Sequence, residues 1–179
     1  MEKGSKKQKL TEKLNFLRNQ FDLLKYYNFD IVRVAKENNI IVGNSKLSDE
    51  DGFLIICNED DTHYALIGVN NKYPLFQKRY IIAYSLGLYS LIRDKKGYYI
   101  NKIKLDENID LEIDKFAKSL LVPIESFYST YQNMKKDFDV SEGIDDLLSD
   151  LYKVPLNIIK SKEKEADVIS KKLVRKKEK

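Results

Sequence analysis

The sequence predicts an α+β domain: a small, mainly antiparallel sheet packed on helices around one central buried helix, with a helical hairpin near its C-terminal end. Three observations predict it. From Gln77 to Ile92 only Ser85, Gly87 and Ser90 interrupt the apolar and aromatic residues of the run's interior, and a helix apolar on nearly all sides is a buried one. Ahead of it, short apolar runs bounded by polar turn residues read as strands. Behind it, apolar periodicities near one helical turn are punctuated by Pro123 and Pro155, which stop helices.

In chain order, Leu10, Leu14, Leu17, Phe21 and Leu24 recur at alternating spacings of four and three, one apolar stripe on a first helix. Two heptads are short for an independent coiled coil, so the stripe either packs on its own domain or docks a partner helix. Ile31 to Glu37 reads as a second helix, ended by Asn38-Asn39 before a short strand at Ile40-Ile41-Val42. Asn44 to Gly52 is turn-like. Phe53–Cys57 and His63–Val69 then read as strands, with Glu59-Asp60-Asp61 turning between them. The central helix follows. Leu111–Leu121 and Ile124–Met134 are two further helices, and Ile144–Tyr152 with Leu156–Ile159 form a hairpin about Lys153-Val154-Pro155. These readings divide the chain into a basic end with its amphipathic helix (1–28), a body (29–137), a helix-turn-helix-like hairpin (138–160) and a Lys-rich tail expected to fray (161–179).

The chain of 179 residues is 42% hydrophobic and 11% aromatic, which argues against disorder as a whole. No apolar run reaches the ~18–20 residues that span a bilayer, and Met1 to Lys9 is too polar for a signal peptide, so a cytoplasmic protein without membrane contact is expected. The single cysteine, Cys57, excludes an intrachain disulfide and a Cys-rich zinc site. The net charge of +4 is carried by the two ends, +3 over residues 1–10 and +5 over 160–179, leaving the body acidic. A folded basic face for phosphates is therefore not indicated, and specific nucleic-acid binding is disfavoured. The hairpin's candidate second helix offers Asn157 and Lys160, but Asp145, Asp146 and Asp150 flank it and would repel phosphate.

The run Arg79-Tyr80-Ile81-Ile82-Ala83-Tyr84-Ser85-Leu86-Gly87-Leu88-Tyr89 resembles the central helix of the ImmA/IrrE family of zinc metallopeptidases, which typically reads R-F-T-I-A-H-E-L-G-H-Y. Phe116-Ala117-Lys118-Ser119-Leu120-Leu121-Val122-Pro123 is similar to that family's F-A-A-E-L-L-M-P block, and Glu112 falls where the family keeps its glutamate zinc ligand. Asp30-Ile31 to Ile41-Val42, Gly52-Phe53-Leu54-Ile55 and the Ile144–Ile159 hairpin resemble its other blocks, so the likeness covers about Phe29 to Lys160. It implies a zincin-like fold in which the Gln77–Ile92 helix is the former zinc-site helix.

The departures decide the chemistry. H-E-x-x-H works because two imidazoles one turn apart hold one zinc while the glutamate moves a proton from the metal-bound water. The corresponding positions are Tyr84, Ser85 and Leu88. Tyrosine, with a pKa near ~10, is a poor neutral ligand; serine is no base at neutral pH, and leucine binds no metal. Glu112 alone cannot hold zinc, so the cofactor is expected to be lost. A replacement site from His63, Cys57 and Glu112 is conceivable, but Cys57 lies in an apolar run. Tyr84 and Leu88 either fill the old site or leave a cleft that binds a peptide, with Tyr84 and Glu112 as polar contacts. The resemblance thus implies a catalytically inactive pseudo-metallopeptidase that binds a protein partner in regulation, of a kind carried by phages and other mobile elements. It would sequester a repressor or block a host defence protein. The alternative is a metallo-endopeptidase or other hydrolase with an altered, unrecognised site.

Overall fold

The computed structural model describes residues 3–25, 27–59, 62–105, 109–137 and 143–177. Among them the chain runs α1 (Lys3–Phe21), a 3-10 turn (Leu23–Lys25), α2 (Ile31–Glu37), β1 (Ile40–Ser45), β2 (Gly52–Glu59), β3 (Thr62–Asn70), α3 (Leu75–Ile92), β4 (Gly97–Ile103), α4 (Leu111–Leu121), α5 (Ile124–Asp137), α6 (Ile144–Tyr152) and α7 (Leu156–Lys177). The fold is α+β. Its sheet has the order β1-β3-β2-β4, with β2 antiparallel to β3 and β4, and β1 parallel to β3.

α3 lies across one face of the sheet and is buried along nearly its whole length. Leu54, Ile56, Ala65, Ile67 and Val69 point to it and are fully or almost fully covered. On its other side α3 packs against α4 and α1. Gly87 permits this closeness: a Cβ there would stand 2.8 Å from Phe116 Cδ1 and 3.0 Å from Ile113 Cγ2. Asp110 starts α4 by accepting the Glu112 and Ile113 amides, as Asp30 does for α2 with Val32 and Arg33, each cap satisfying amides that have no partner inside the helix. α5, α6 and α7 pack together, and Tyr152, Phe127 and Tyr131 meet there ring to ring.

Four features differ from the sequence reading. β4 fell in a stretch assigned no element. As an edge strand it leaves Tyr98 and Ile100 exposed and covers Ile103 fully, so no simple polar–apolar alternation marks it. α1 begins at Lys3, which makes the basic N-terminal residues part of a helix. Leu156–Ile159 is only the first turn of α7, and the segment expected to fray from residue 161 continues that helix to Lys177, with Lys162 and Ala166 buried. The reason is tertiary: α7 packs along α5 and α6. Lastly, the segments 1–28, 29–137, 138–160 and 161–179 share one cluster of buried side chains that runs from Leu10 to Ala166. The proposed boundary at 137/138, Ser141 and the Asp60-Asp61 turn lie outside the described residues. Among the described residues no helix is long and apolar enough to cross a membrane.

Candidate functional site

The helix α3 carries the three positions singled out for chemistry, and each has a local partner. Tyr84 is 7% exposed, and its hydroxyl accepts the Asp110 backbone amide at 3.0 Å. That bond joins the middle of α3 to the N-cap of α4. Burial pushes the Tyr84 phenol up, further from any anionic ligand form. The fully buried Ser85 donates its hydroxyl to the Ile81 carbonyl one turn back, at 2.7 Å. It is thereby held against its own helix, a common use of a mid-helix serine. Leu88 is half-buried against the core.

Glu112 lies on α4 with a half-exposed carboxylate that accepts Lys115 Nζ at 3.1 Å. It lines a cleft of about 140 Å³ between α1 and α4, with Leu10, Leu14 and Phe116 among its walls. The recorded polar partners of Tyr84 and Glu112 are thus different groups, Asp110 and Lys115. Nearby polar groups of α3 and α4 also pair internally. The Tyr80 hydroxyl donates to the Asp114 carboxylate, which accepts Lys118 Nζ at 2.7 Å on its other oxygen. Burial and the facing Asp114 carboxylate push the Tyr80 phenol up. Lys6 of α1 closes on the Asp110 carboxylate.

The stripe on α1 faces inward. Leu10 and Leu17 are buried and Leu14 and Phe21 half-buried, in a helix packed on α4 and α3 of the same chain. Leu24 does not continue it: the helix ends at Phe21, Asp22 takes a left-handed φ of 52°, and Leu23 turns in while Leu24 is exposed. Leu10, Leu14, Leu17 and Phe21 pack on the chain's own core, the first of the two sequence readings, and Leu24 does not.

His63 is exposed on β3, with Nε2 3.2 Å from the Tyr89 hydroxyl, and Cys57 is buried in β2. Neither converges with Glu112. Among the described residues no group of three or more His, Cys, Asp or Glu side chains could hold a metal ion.

The sequence reading quoted Arg79 only as the first residue of the run that carries the resemblance and gave it no role. It is 5% exposed, with Nη1 donating to the Phe29 carbonyl at 2.6 Å and Nε to the Lys153 carbonyl at 3.1 Å, so it ties the entry of α2 to the α6–α7 turn. Burial pulls its pKa down to about 10. With Asp30 and Lys78 it borders a cleft of about 420 Å³ beside β1. A second cleft of about 400 Å³ joins α1 to the end of α3 through Lys13, Asn38 and Arg93. Tyr84, Ser85 and Leu88 line none of these clefts. A charged residue inside an apolar helix was the signal available in the sequence, since burial of a guanidinium demands several acceptors.

No protein-family model matches the chain, and a search of curated proteins returns no match.

Proposed function

We propose that the chain is a non-catalytic protein-binding module, a pseudo-metallopeptidase that acts in regulation by occupancy. In this reading it keeps the frame of the ImmA/IrrE-like peptidases that its sequence resembles and holds a protein partner without cutting it. A repressor sequestered, or a host defence protein blocked, by a product of a phage or other mobile element fits that mode. One observation carries the reading: at the positions where the resembled family keeps its first histidine and its glutamate, the Tyr84 and Ser85 hydroxyls are buried and engaged with backbone partners, Asp110 N–H and Ile81 C=O. The Tyr84 bond ties α3 to the start of α4, the Ser85 bond holds that side chain against its own helix, and two buried neutral hydroxyls supply neither the imidazole ligand nor the carboxylate base of the resembled site. The acidic body and cationic ends favour a protein over a nucleic acid as the partner.

The experiment is capture of partners from the native cell background by the full tagged chain, read by mass spectrometry at moderate salt. A Lys171→Ala/Lys172→Ala variant is the charge control, because both lysines are exposed on α7 whereas cutting after Lys160 removes the buried Ala166. A stoichiometric protein retained by both forms is the expected result. Retention of nucleic acid alone, lost in the double variant, would overturn the proposal.

A further inference from the structure

Arg79 is a buried cation that no ion pair completes. Two of its guanidinium nitrogens donate to the Phe29 and Lys153 carbonyls, which are neutral, and Nη2 is closed to water and has no acceptor. Among the described residues no carboxylate stands within ion-pair distance of it, and Asp30 acts on it only through space. Burying a charge is costly unless it is paired, and a buried donor without an acceptor is rare in native folds.

This side chain borders the cleft of about 420 Å³ beside β1, and other parts of the wall carry the same sign. Lys78, the preceding residue of α3, is half-buried there and has no ion-pair partner among the described residues. Leu75, the first residue of α3, lines the cleft too. Pro74 ahead of it supplies no side-chain cap and no acid lies in the first turn, so the positive end of an 18-residue helix is uncompensated. Against these stands one acid of the wall, Asp30, which is exposed and whose Oδ1 is taken by the Val32 and Arg33 amides. The body is acidic as a whole, so this positive surplus is local. Elsewhere the wall is largely apolar, with Ile31, Val42, Val69 and Ile82.

We propose that this cleft binds a small organic carboxylate with an apolar body. The carboxylate lies at the α3 end, beside Arg79 and between Lys78 and the first amides of the helix, and the hydrocarbon part lies along β1 against Ile31, Val42 and Ile82. The surplus charge selects an anion, and the wall selects its kind. A phosphate would bring several hydrated oxygens against hydrocarbon, whereas a carboxylate confines its charge to one end. A buried guanidinium acts strongly on that end, because water does not screen it as it screens a surface lysine. The cleft's volume lies toward the lower end of ligand sites, which suits a molecule below drug size. At the affinity per atom usual for such ligands, a Kd on the order of 100 µM follows.

Octanoate is the probe, with octanol as the body without the charge and acetate as the charge without the body. Each is titrated by calorimetry into the full chain and mapped by amide shifts in heteronuclear NMR spectra. Octanoate should bind at least ~10-fold more tightly than either control, shift the amides of Val42, Gly43, Asn44 and Lys78 first, and resist displacement by millimolar inorganic phosphate. Lys78→Ala should weaken octanoate by ~5-fold and leave octanol unchanged. Leu75→Glu should weaken octanoate by ~10-fold, and it keeps the fold because position 75 is exposed and an acid in a first turn favours a helix. Arg79→Gln should abolish the preference for octanoate over octanol; since Arg79 also clamps Phe29 and Lys153, a thermal melt checks that this variant folds, and the two surface variants decide if it does not. Octanoate and octanol bound equally overturn the proposal, as do shifts confined to Tyr64, Tyr98 and Ile100 on the open sheet face. So do no binding up to ~5 mM and octanoate binding indifferent to both Lys78→Ala and Leu75→Glu. Displacement by phosphate would overturn the choice of a carboxylate.

Discussion

Replacing Tyr84 by alanine and, separately, by phenylalanine divides the packing role of this side chain from its polar one. Tyr84 is 7% exposed, its ring centroid lies 6.5 Å from that of Tyr80, and its hydroxyl accepts the Asp110 amide at 3.0 Å. An aromatic side chain of this kind buries ~150–250 Å², which at ~25 cal/mol per Å² corresponds to ~4–6 kcal/mol of transfer. Measured aromatic-to-alanine losses in cores run at ~3–5 kcal/mol, so about 4 kcal/mol is expected for Tyr84→Ala. Tyr84→Phe keeps the ring and strands the Asp110 amide at the start of α4, for about 1 kcal/mol. The assay is equilibrium urea unfolding followed by far-UV dichroism, with the slope checked for two-state behaviour. A Tyr84→Ala loss below ~1 kcal/mol would show that the side chain is not packed and would refute the reasoning, returning position 84 to the groups free to meet a ligand.

Other consequences follow from the same contacts. Gly87→Ala gains ~1 kcal/mol of helix propensity but meets Phe116 and Ile113, costing ~1–3 kcal/mol; net destabilisation is expected, and a raised melting temperature would contradict the α3–α4 approach. The Glu163 carboxyl is pushed up to about 7 by burial and by the facing Asp145 carboxyl, against the pull of Lys135. Its folded pKa therefore lies above the unfolded value of ~4.3, so its contribution is fully present below that value and is lost as pH rises through about 7. Glu163→Gln should add ~1 kcal/mol at pH 8, after allowance for solvent screening, and almost nothing at pH 4, read from urea midpoints. Truncation after Lys160 should cost on the order of 3 kcal/mol, whereas a frayed tail predicts no change. The triple change Tyr84→His, Ser85→Glu, Leu88→His tests the resemblance itself. One zinc per chain, lost on adding Glu112→Ala, is expected by elemental analysis, and no uptake by a folded variant would count against the frame.

The central helix was legible because its apolar composition is extreme: a run such as Tyr80-Ile81-Ile82-Ala83 has no polar face to turn outward. The helices ending before Pro123 and Pro155 were legible through a covalent constraint that context does not override. β4 was not, because an edge strand with one uncovered face mixes Tyr98 and Ile100 with Asn101 and Lys102, and periodicity then says little. The length of α7 was hidden for the opposite reason. Its lysines read as a solvated tail, while the helix is held by a few contacts such as Ala166 that composition cannot weight. At the site, the departures from the resembled motif were visible as residue types, since Leu88 cannot bind metal whatever its surroundings. The Tyr84 bond to Asp110 and the Arg79 clamp on Phe29 and Lys153 join segments 26 to 74 residues apart and required the fold.

The measurement that bears most directly on the proposal of binding without cleavage is the intact mass of both proteins after the captured partner is incubated with the chain for several hours, with added zinc and with a chelator. Two unchanged masses in a complex that persists under both conditions are the predicted result. A partner shortened at a defined peptide bond in the presence of zinc and left whole by the chelator would contradict the account.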